Sequence, residues 1–234
     1  MIGYYNYTVW LTYASLLSAC LGIGVSLHGA GHPYWGVFFL LLSGLCDAFD
    51  GRVARRKKDR SQMEKKYGIQ IDSLADLVAF GVLPACIGEA LSTLGPYVAG
   101  VRRLDFSSPQ MRMFVRALVI AVMLFYVLAA LIRLAYFNVA EEERQNIEGG
   151  SRKTYEGLPV TSAALIFPTI MLLQYVLPMD ITLVYYIGML ITGALFISRI
   201  QVVKPGFRGI LIMVLFGAAE AVLLLVGLFT IAHR

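Results

Sequence analysis

The sequence predicts an all-α, polytopic transmembrane helical bundle. Of its 234 residues, 58% are hydrophobic and 15% are charged, and the mean hydropathy is +0.70. In a soluble domain, about a quarter of the residues are usually charged. This chain therefore has too few polar side chains to cover the surface of a water-soluble globule. Intrinsic disorder is also excluded, because it requires low hydrophobicity and high net charge. We expect a single integral membrane domain over residues 1–234.

Seven apolar stretches are expected to cross the membrane, because a bilayer core about 30 Å thick needs roughly 20 apolar residues per helix. The first stretch lacks a basic N-terminal region, so no cleavable signal peptide is expected. The last is long enough for one tilted helix but short for two. The approximate bounds are Trp10–Gly29, Tyr34–Asp50, Ile69–Leu94, Phe114–Asn138, Leu158–Leu177, Ile181–Ile197 and Ile210–Ile231.

The distribution of basic residues predicts the orientation, because Lys and Arg accumulate in cytoplasmic loops. The stretch from Arg52 to Lys66 holds eight of them. With the loops after Asn138 and around Lys204, one face carries fourteen basic residues and the other carries five. The Arg52–Lys66 loop and the N-terminus are therefore expected in the cytoplasm. The net charge of +5 is read as a topology signal that also attracts lipid headgroups or phosphates, and no nucleic-acid partner is expected.

Four acidic residues stand where acids are costly, since ionisable groups within membrane helices are expensive and mark functional sites. Asp47 and Asp50 are three residues apart at the inner end of the second span, and Asp72 and Asp76 are four apart at the inner start of the third. Either spacing places two side chains on one helical face. The short basic connection makes the two helices antiparallel neighbours. We therefore expect the four carboxylates to converge beneath the cytoplasmic surface.

This cluster predicts a divalent-metal site. Close carboxylates cannot all stay ionised without a compensating cation, and oxygen ligands suit Mg²⁺, Mn²⁺ or Ca²⁺ better than zinc. The alternative is a set of helix-end carboxylates that are solvated or paired with neighbouring arginines. Gly51, Ala54 and Gly68 let a ligand approach closely, and Arg55 has a fork suited to phosphate. Together they predict a site for a diphosphate held by divalent ions.

Two further acids in the predicted spans, Glu89 and Glu220, are not assigned to this site. Glu89 follows Asp76 by thirteen residues, which places it about 220° around an ideal helix. We expect it in packing, in an interhelix hydrogen bond or at the outer interface. A subunit contact and a protonated buried acid both stay open for Glu220.

Read as a motif, residues 47–76 give Asp47-x-x-Asp50-Gly51-x-x-Ala54-Arg55 and then Gly68-x-x-x-Asp72-x-x-x-Asp76. This pattern resembles the signature of the CDP-alcohol phosphotransferase family. The runs Ile71–Ala85, Arg133–Asn138 and Gly157–Val160 resemble the phosphatidylserine synthase branch, and the resemblance covers the first five spans. In one departure, twelve residues separate Arg55 from Gly68, more than the family usually has. We expect them to extend the cytoplasmic helix or loop by one turn and to leave the metal site intact. In another, Tyr136 stands where the branch often has an arginine.

The resemblance implies a six-helix core plus a C-terminal helix, and a reaction. The phosphatidyl group of CDP-diacylglycerol would pass to L-serine and CMP would leave, with Mg²⁺ or Mn²⁺, and Ca²⁺ as a further option, as the cofactor. Asp76 would be the catalytic base. The resemblance also implies a homodimer among membrane lipids, multi-pass in the cell membrane, with the active site at its cytoplasmic face. The implied metal ligands are Asp47, Asp50, Asp72 and Asp76, and the implied substrate-binding residues are Gly51, Ala54, Arg55, Gly68 and Arg133.

Several alternatives stay open at this point. The acceptor could be glycerol phosphate or inositol phosphate, or the donor an ether lipid; a phosphorylated acceptor needs several cations, and Arg133 and the region of Lys153 are the obvious supply. Arg133 could instead be a structural arginine that extends to the interface. A divalent-cation transporter is a remote alternative, because transporters place ligands at the midplane of repeated halves. A non-catalytic lipid-binding protein would leave Asp76 without a purpose.

Overall fold

The computed structural model describes residues 2–28, 33–94, 108–147, 154–176 and 180–232. Its helices confirm the all-α fold. α3 and α4 are continuous through a π-helical turn, Leu77–Val82, so the helices of the described residues form seven rods that correspond to the seven predicted stretches. Their bounds are α1 Trp10–Leu27, α2 Pro33–Arg56, α3 Gln62–Asp76, α4 Leu83–Leu94, α5 Pro109–Ile147, α6 Ala163–Val176, α7 Thr182–Phe196 and α8 Phe207–Ala232.

Within the described ranges, four helical segments are long and apolar enough to cross a membrane: Trp10–Leu27, Gln62–Ser92, Pro109–Arg144 and Phe207–Gly227. α6 and α7 are shorter apolar helices. α2 is apolar over its first half only, because its second half carries two aspartates and three arginines. The polar half of α2 packs near α3, where the site described below is found.

α3 and α5 are among the helices that are longer than the hydropathy pattern predicts. α3 begins at Gln62 rather than at Ile69, because the Ser61 side chain caps it and accepts the backbone N–H of Glu64 at 3.0 Å. α5 continues past Asn138 to Ile147. In both cases a polar helical end extends beyond the apolar layer, and hydropathy detects only the apolar part.

The π-helical turn follows from a proline. Pro84 has no N–H to donate to the carbonyl of Phe80, four residues earlier. The helix widens there, and the Leu83 N–H donates to the carbonyl of Val78, five residues earlier. The buried Tyr126 hydroxyl of α5 donates to the Phe80 carbonyl at 2.6 Å. This bond satisfies the carbonyl and fixes α5 against the third rod.

The core is an aromatic cluster between α5, α6 and α7. The ring of Tyr126 meets that of Phe167 edge-on with centroids 5.5 Å apart, and Phe167 meets Tyr185 at 4.9 Å. All three rings are fully buried. The Tyr185 hydroxyl donates to the carbonyl of Pro84 at 2.9 Å. These contacts hold three helices against the rod that carries Asp72 and Asp76.

A two-stranded antiparallel sheet is present that the sequence analysis does not predict. β1 (Thr154–Glu156) precedes α6 and pairs with β2 (Gln201–Val203), which precedes α8. Strands of three residues are too short to show an alternating pattern. The sheet joins the α5–α6 and α7–α8 connections, which the topology prediction places on the same side of the membrane as the Arg52–Lys66 loop.

Candidate active site

The second half of α2 and the C-terminal part of α3 bring three of the predicted aspartates together. One carboxylate oxygen each of Asp47, Asp50 and Asp72 lies within 4.8 Å of the others. Oxygen ligands bind Mg²⁺ or Ca²⁺ at about 2.0–2.6 Å, so oxygens at this separation can share one ion. Carboxylate oxygens are also the ligands that hard divalent cations prefer. The residues therefore fit a divalent metal.

Asp76 lies one turn further along α3 and adjoins this group. Its carboxyl group adjoins that of Asp47, and its side chain is buried. The structure thus assembles all four predicted aspartates, three around a common point and Asp76 beside Asp47. Asp47 and Asp76 also line the cavity described below.

Two polar side chains from other helices support the cluster. The buried Thr12 of α1 donates its hydroxyl to Asp50 Oδ2 at 3.2 Å. Asn138 of α5 donates to the Ser73 hydroxyl at 2.8 Å, on the turn of α3 that carries the aspartates. The sequence analysis missed Thr12, because an uncharged residue in an apolar stretch gives no signal and helical spacing does not report contacts between helices.

Two glycines each make room for an arginine next to the aspartates. Gly51 follows Asp47 by one turn of α2, and Arg55 Nη1 lies 3.4 Å from the position a Cβ would take on residue 51. On α3, Arg60 Nη2 lies 2.6 Å from the corresponding position of Gly68. The fourth predicted residue of this group, Ala54, lies half-buried on α2.

A cavity of about 860 Å³ opens beside the cluster. The charged residues of its lining are Asp47, Asp76, Arg133 and Lys204, and the rest is mostly apolar and comes largely from α2, α5, α6, α8 and the segments around the two strands. Arg133 is buried and donates its Nε–H to the carbonyl of Leu158 at 3.3 Å. The structure therefore places Arg133 in the wall of the cavity.

The β1–β2 sheet borders the same cavity. Tyr155 of β1 lines it, and Lys204 Nζ lies 5.6 Å from the centroid of the Tyr155 ring. Tyr136 donates its hydroxyl to Glu156 at 3.0 Å, so the residue that replaces the expected arginine anchors β1. Gly157 has a φ of +75°, and a Cβ there would lie 2.7 Å from the Phe196 carbonyl oxygen. Lys204 was not among the predicted site residues, because in the sequence it is one of fourteen basic loop residues.

Glu89 and Glu220, the two acids not assigned to the aspartate cluster, make their contacts with other residues. Glu89 forms an ion pair with Arg116 of α5 at 2.5 Å, which agrees with the expected interhelix contact away from the aspartates. Glu220 is buried in α8 and accepts the Thr169 hydroxyl of α6 at 2.5 Å. Lys153, the other predicted source of positive charge, lies outside the described residues.

Curated relatives share much of this chain. A CDP-diacylglycerol–serine O-phosphatidyltransferase of Saccharomyces cerevisiae is 35% identical over 144 residues, which is 60% of this chain and 43% of the relative. The enzyme of the same name from Helicobacter pylori strain 26695 is 27% identical over 195 residues, 82% of this chain and 69% of the relative. An archaetidylserine synthase of Methanothermobacter thermautotrophicus is 34% identical over 149 residues, 64% of this chain and 48% of the relative.

The match therefore spans less than half the length of the yeast and archaeal relatives. The profile of the CDP-alcohol phosphatidyltransferase family, in contrast, matches residues 5–233. This range includes the aspartates, both arginine–glycine pairs and the whole lining of the cavity. The protein belongs to the CDP-alcohol phosphatidyltransferase family.

Proposed function

We propose that the protein is a membrane transferase that moves the phosphatidyl group of CDP-diacylglycerol to L-serine and yields phosphatidylserine and CMP. The observation that carries the proposal is a cavity whose lining combines the aspartates Asp47 and Asp76 with mostly apolar side chains. A liponucleotide needs both parts, because its diphosphate requires charge and its acyl chains require apolar surroundings. Relatives named for this reaction support it, and we assign residues 1–234 to one catalytic domain.

The aspartates Asp47, Asp50, Asp72 and Asp76 would hold the divalent metal, Mg²⁺ or Mn²⁺, with Ca²⁺ as a further option. When bound, the metal supplies positive charge that stabilises the phosphoryl oxygens and the leaving CMP. Arg55, which lies against Gly51, provides guanidinium N–H groups for the nucleotide phosphates, and Gly68 lines the nucleotide site from α3. Ala54 presents little side chain on the same helix and leaves room for the nucleotide.

Asp76 is proposed as the general base. A serine hydroxyl has a pKa far above 7, so a positioned carboxylate assists its attack. Asp76 accepts the hydroxyl proton, the serine oxygen bonds to the β-phosphorus, and the bond from that phosphorus to the CMP oxygen breaks. Because Asp76 lines the cavity and also touches Asp47, it can meet an acceptor on one side and the metal-binding group on the other.

The acceptor carboxylate is proposed to bind between Arg133 and Lys204. Both line the cavity, as do the carboxylates of Asp47 and Asp76. Charge-assisted hydrogen bonds from a guanidinium or ammonium to a carboxylate are among the stronger polar contacts. Serine is a zwitterion, so its carboxylate can bind these two cations and its ammonium group can bind the aspartates of the cavity.

The experiment is CMP release from CDP-diacylglycerol by purified protein, with and without L-serine and with Mg²⁺, Mn²⁺ or neither. We expect release to need both serine and metal. Asp76→Asn should lower kcat by at least about a hundredfold, whereas Asp59→Asn, at an exposed position of the same cytoplasmic region, should leave it unchanged.

Other outcomes point elsewhere. Metal-dependent release that ignores serine would keep the reaction class and direct the search to glycerol phosphate, inositol phosphate or an ether-lipid donor. No release by folded protein with any alcohol would contradict the proposal and favour the transporter.

We further propose a homodimer in the cell membrane with the active site at the cytoplasmic face. The fourteen basic residues on the face that carries the aspartates support this orientation. α5 exposes a row of large apolar side chains along its length, which is available to lipid and to a second copy. This row includes Leu118, Leu124, Leu128 and Ile132.

A further inference from the structure

Arg60 lies in the connection between α2 and α3, among the twelve residues that separate Arg55 from Gly68, a spacing longer than the family usually has. Its side chain runs along the first turn of α3. Nη2 donates to the Glu64 carbonyl at 3.3 Å and lies 2.6 Å from the position a Cβ would take on Gly68. Any side chain at residue 68 would therefore displace the guanidinium.

The guanidinium of Arg60 is incompletely satisfied. Its Nε is buried and has no hydrogen-bond partner among the described residues. In that same part of the chain, no carboxylate lies within 4.0 Å of it. Buried polar groups nearly always have a partner, so an anionic oxygen from a ligand would complete this side chain.

The connection that presents Arg60 is fixed at both ends. Buried Glu64 accepts Lys57 Nζ at 2.7 Å and also accepts the side-chain amide of Asn6 from the N-terminal segment. The Ser61 cap fixes the start of α3. Lys57 neutralises Glu64, so the charge of Arg60 is not balanced within this network.

The placement of Arg60 mirrors that of Arg55. Arg55 lies over Gly51, one turn from Asp47, and Arg60 lies over Gly68, one turn from Asp72. The four-residue separation between each glycine and its aspartate corresponds to a rise of about 6 Å along the helix. α2 and the α2–α3 connection therefore each place a guanidinium against a glycine that lies one helical turn from an aspartate of the metal-fitting group.

We propose that Arg60 is a second phosphate-binding arginine, which with Arg55 forms a clamp on the diphosphate of the cytidine nucleotide. This inference rests on the proposed function, since it requires a CDP-linked donor. A diphosphate has two groups of oxygens, so it can contact a metal on the aspartates and one guanidinium on each side. The longer connection of this chain then supplies a substrate contact that the family signature does not contain.

The test is the affinity of purified full-length protein for CDP in the presence of Mg²⁺, measured by isothermal titration calorimetry. Arg60→Gln should raise the Kd for CDP about tenfold, the range expected for a lost charge-assisted hydrogen bond. Arg60→Lys should recover part of the loss, because lysine keeps the charge but not the fork. The matched control is Arg56→Gln, at an exposed arginine of the same basic stretch, which should stay within about twofold. For CMP, the effect of Arg60→Gln should be smaller than for CDP.

An Arg60→Gln protein that binds CDP as the wild type does, or more tightly, overturns the clamp and makes Arg60 a packing group or an obstruction. If Arg60→Gln does not fold, Arg60→Lys decides: an unchanged Kd for CDP overturns the clamp, and a raised Kd supports it. Failure of the proposed function looks different. There the wild type itself neither binds CDP nor releases CMP, and both proposals fall.

Discussion

Asp50 takes its orientation from another helix, through the 3.2 Å hydrogen bond that Thr12 donates to it. Thr12→Val keeps the shape of the side chain and removes this donor. We expect an affinity for Mn²⁺ about tenfold weaker, because groups that orient metal ligands are commonly worth 10- to 100-fold. Electron paramagnetic resonance of free Mn²⁺ during a titration measures the effect directly.

The matched variant is Thr12→Ser, which keeps the hydroxyl and should retain most of the affinity for Mn²⁺. Equal affinities in Thr12→Val and the wild type would show that Thr12 only packs α1 against α2. A loss in both variants would point to a change in helix packing rather than to the hydrogen bond.

Charged residues in apolar stretches could be recognised from the sequence as site residues. Uncharged residues in apolar helices and basic residues in loops could not. The four aspartates stand out because acids are rare in membrane helices and their spacing defines a face. Thr12 and Lys204 give no such signal, one because threonine is common in apolar helices and the other because basic loop residues are abundant. Arg60 was hidden for the same reason as Lys204, and only its contact with Gly68 distinguishes it from its neighbours.

Among the elements, the sheet next to the cavity depends on Gly157. Its φ of +75° is unfavourable for other residues, and a Cβ would collide with the backbone oxygens of Phe196 and Ser198 at 2.7 and 2.9 Å. We expect Gly157→Ala to lower the free energy of unfolding by more than about 2 kcal/mol. The measurement is the thermal unfolding midpoint in detergent, together with the KM for the acceptor alcohol.

Gly206, just beyond β2, is the control for that experiment. A Cβ there would meet nothing within 4 Å, so Gly206→Ala should cost at most about 1 kcal/mol. If the two variants unfold at the same temperature, the strain assigned to residue 157 is absent.

The helices themselves were predictable, because long apolar stretches in a membrane have few alternatives. Their ends were less so: α3 begins at a serine cap and α5 continues into acidic residues, and neither end is apolar. The strands escaped detection because pairing between residues 154–156 and 201–203 depends on tertiary structure that brings the two connections together.

At the scale of the whole molecule, the predicted membrane topology places the α2–α3 connection in the cytoplasm and the start of α5 on the outer side. We expect Lys58→Cys to react with a membrane-impermeant thiol reagent only from the cytoplasmic side and Ser108→Cys only from the outer side. Both positions are exposed. The background should lack Cys20, Cys46 and Cys86, because Cys20 is itself exposed.

Labelling of both cysteines from one side would contradict the seven-span path. Labelling from opposite sides but in the reverse order would keep the fold and overturn the cytoplasmic placement of the active site. The basic-residue asymmetry that the prediction depends on is a property of the whole chain, which is why no single loop decides it.

The π-helical turn after Asp76 determines how the aspartates of α3 are rotated relative to α4. Such a turn holds one residue more than an α-turn, so α4 is out of phase with α3 by about 100° relative to an uninterrupted helix. Deleting one residue between Leu77 and Val82 would remove this extra residue and the phase shift that it produces. It would also rotate the aspartate face away from α2 while α4 kept its packing on Tyr185. The π-helical turn therefore fixes the rotation of the aspartates on α3 relative to the packed face of α4. Natural variants of this protein are expected to change length in the α2–α3 connection far more freely than in these six residues.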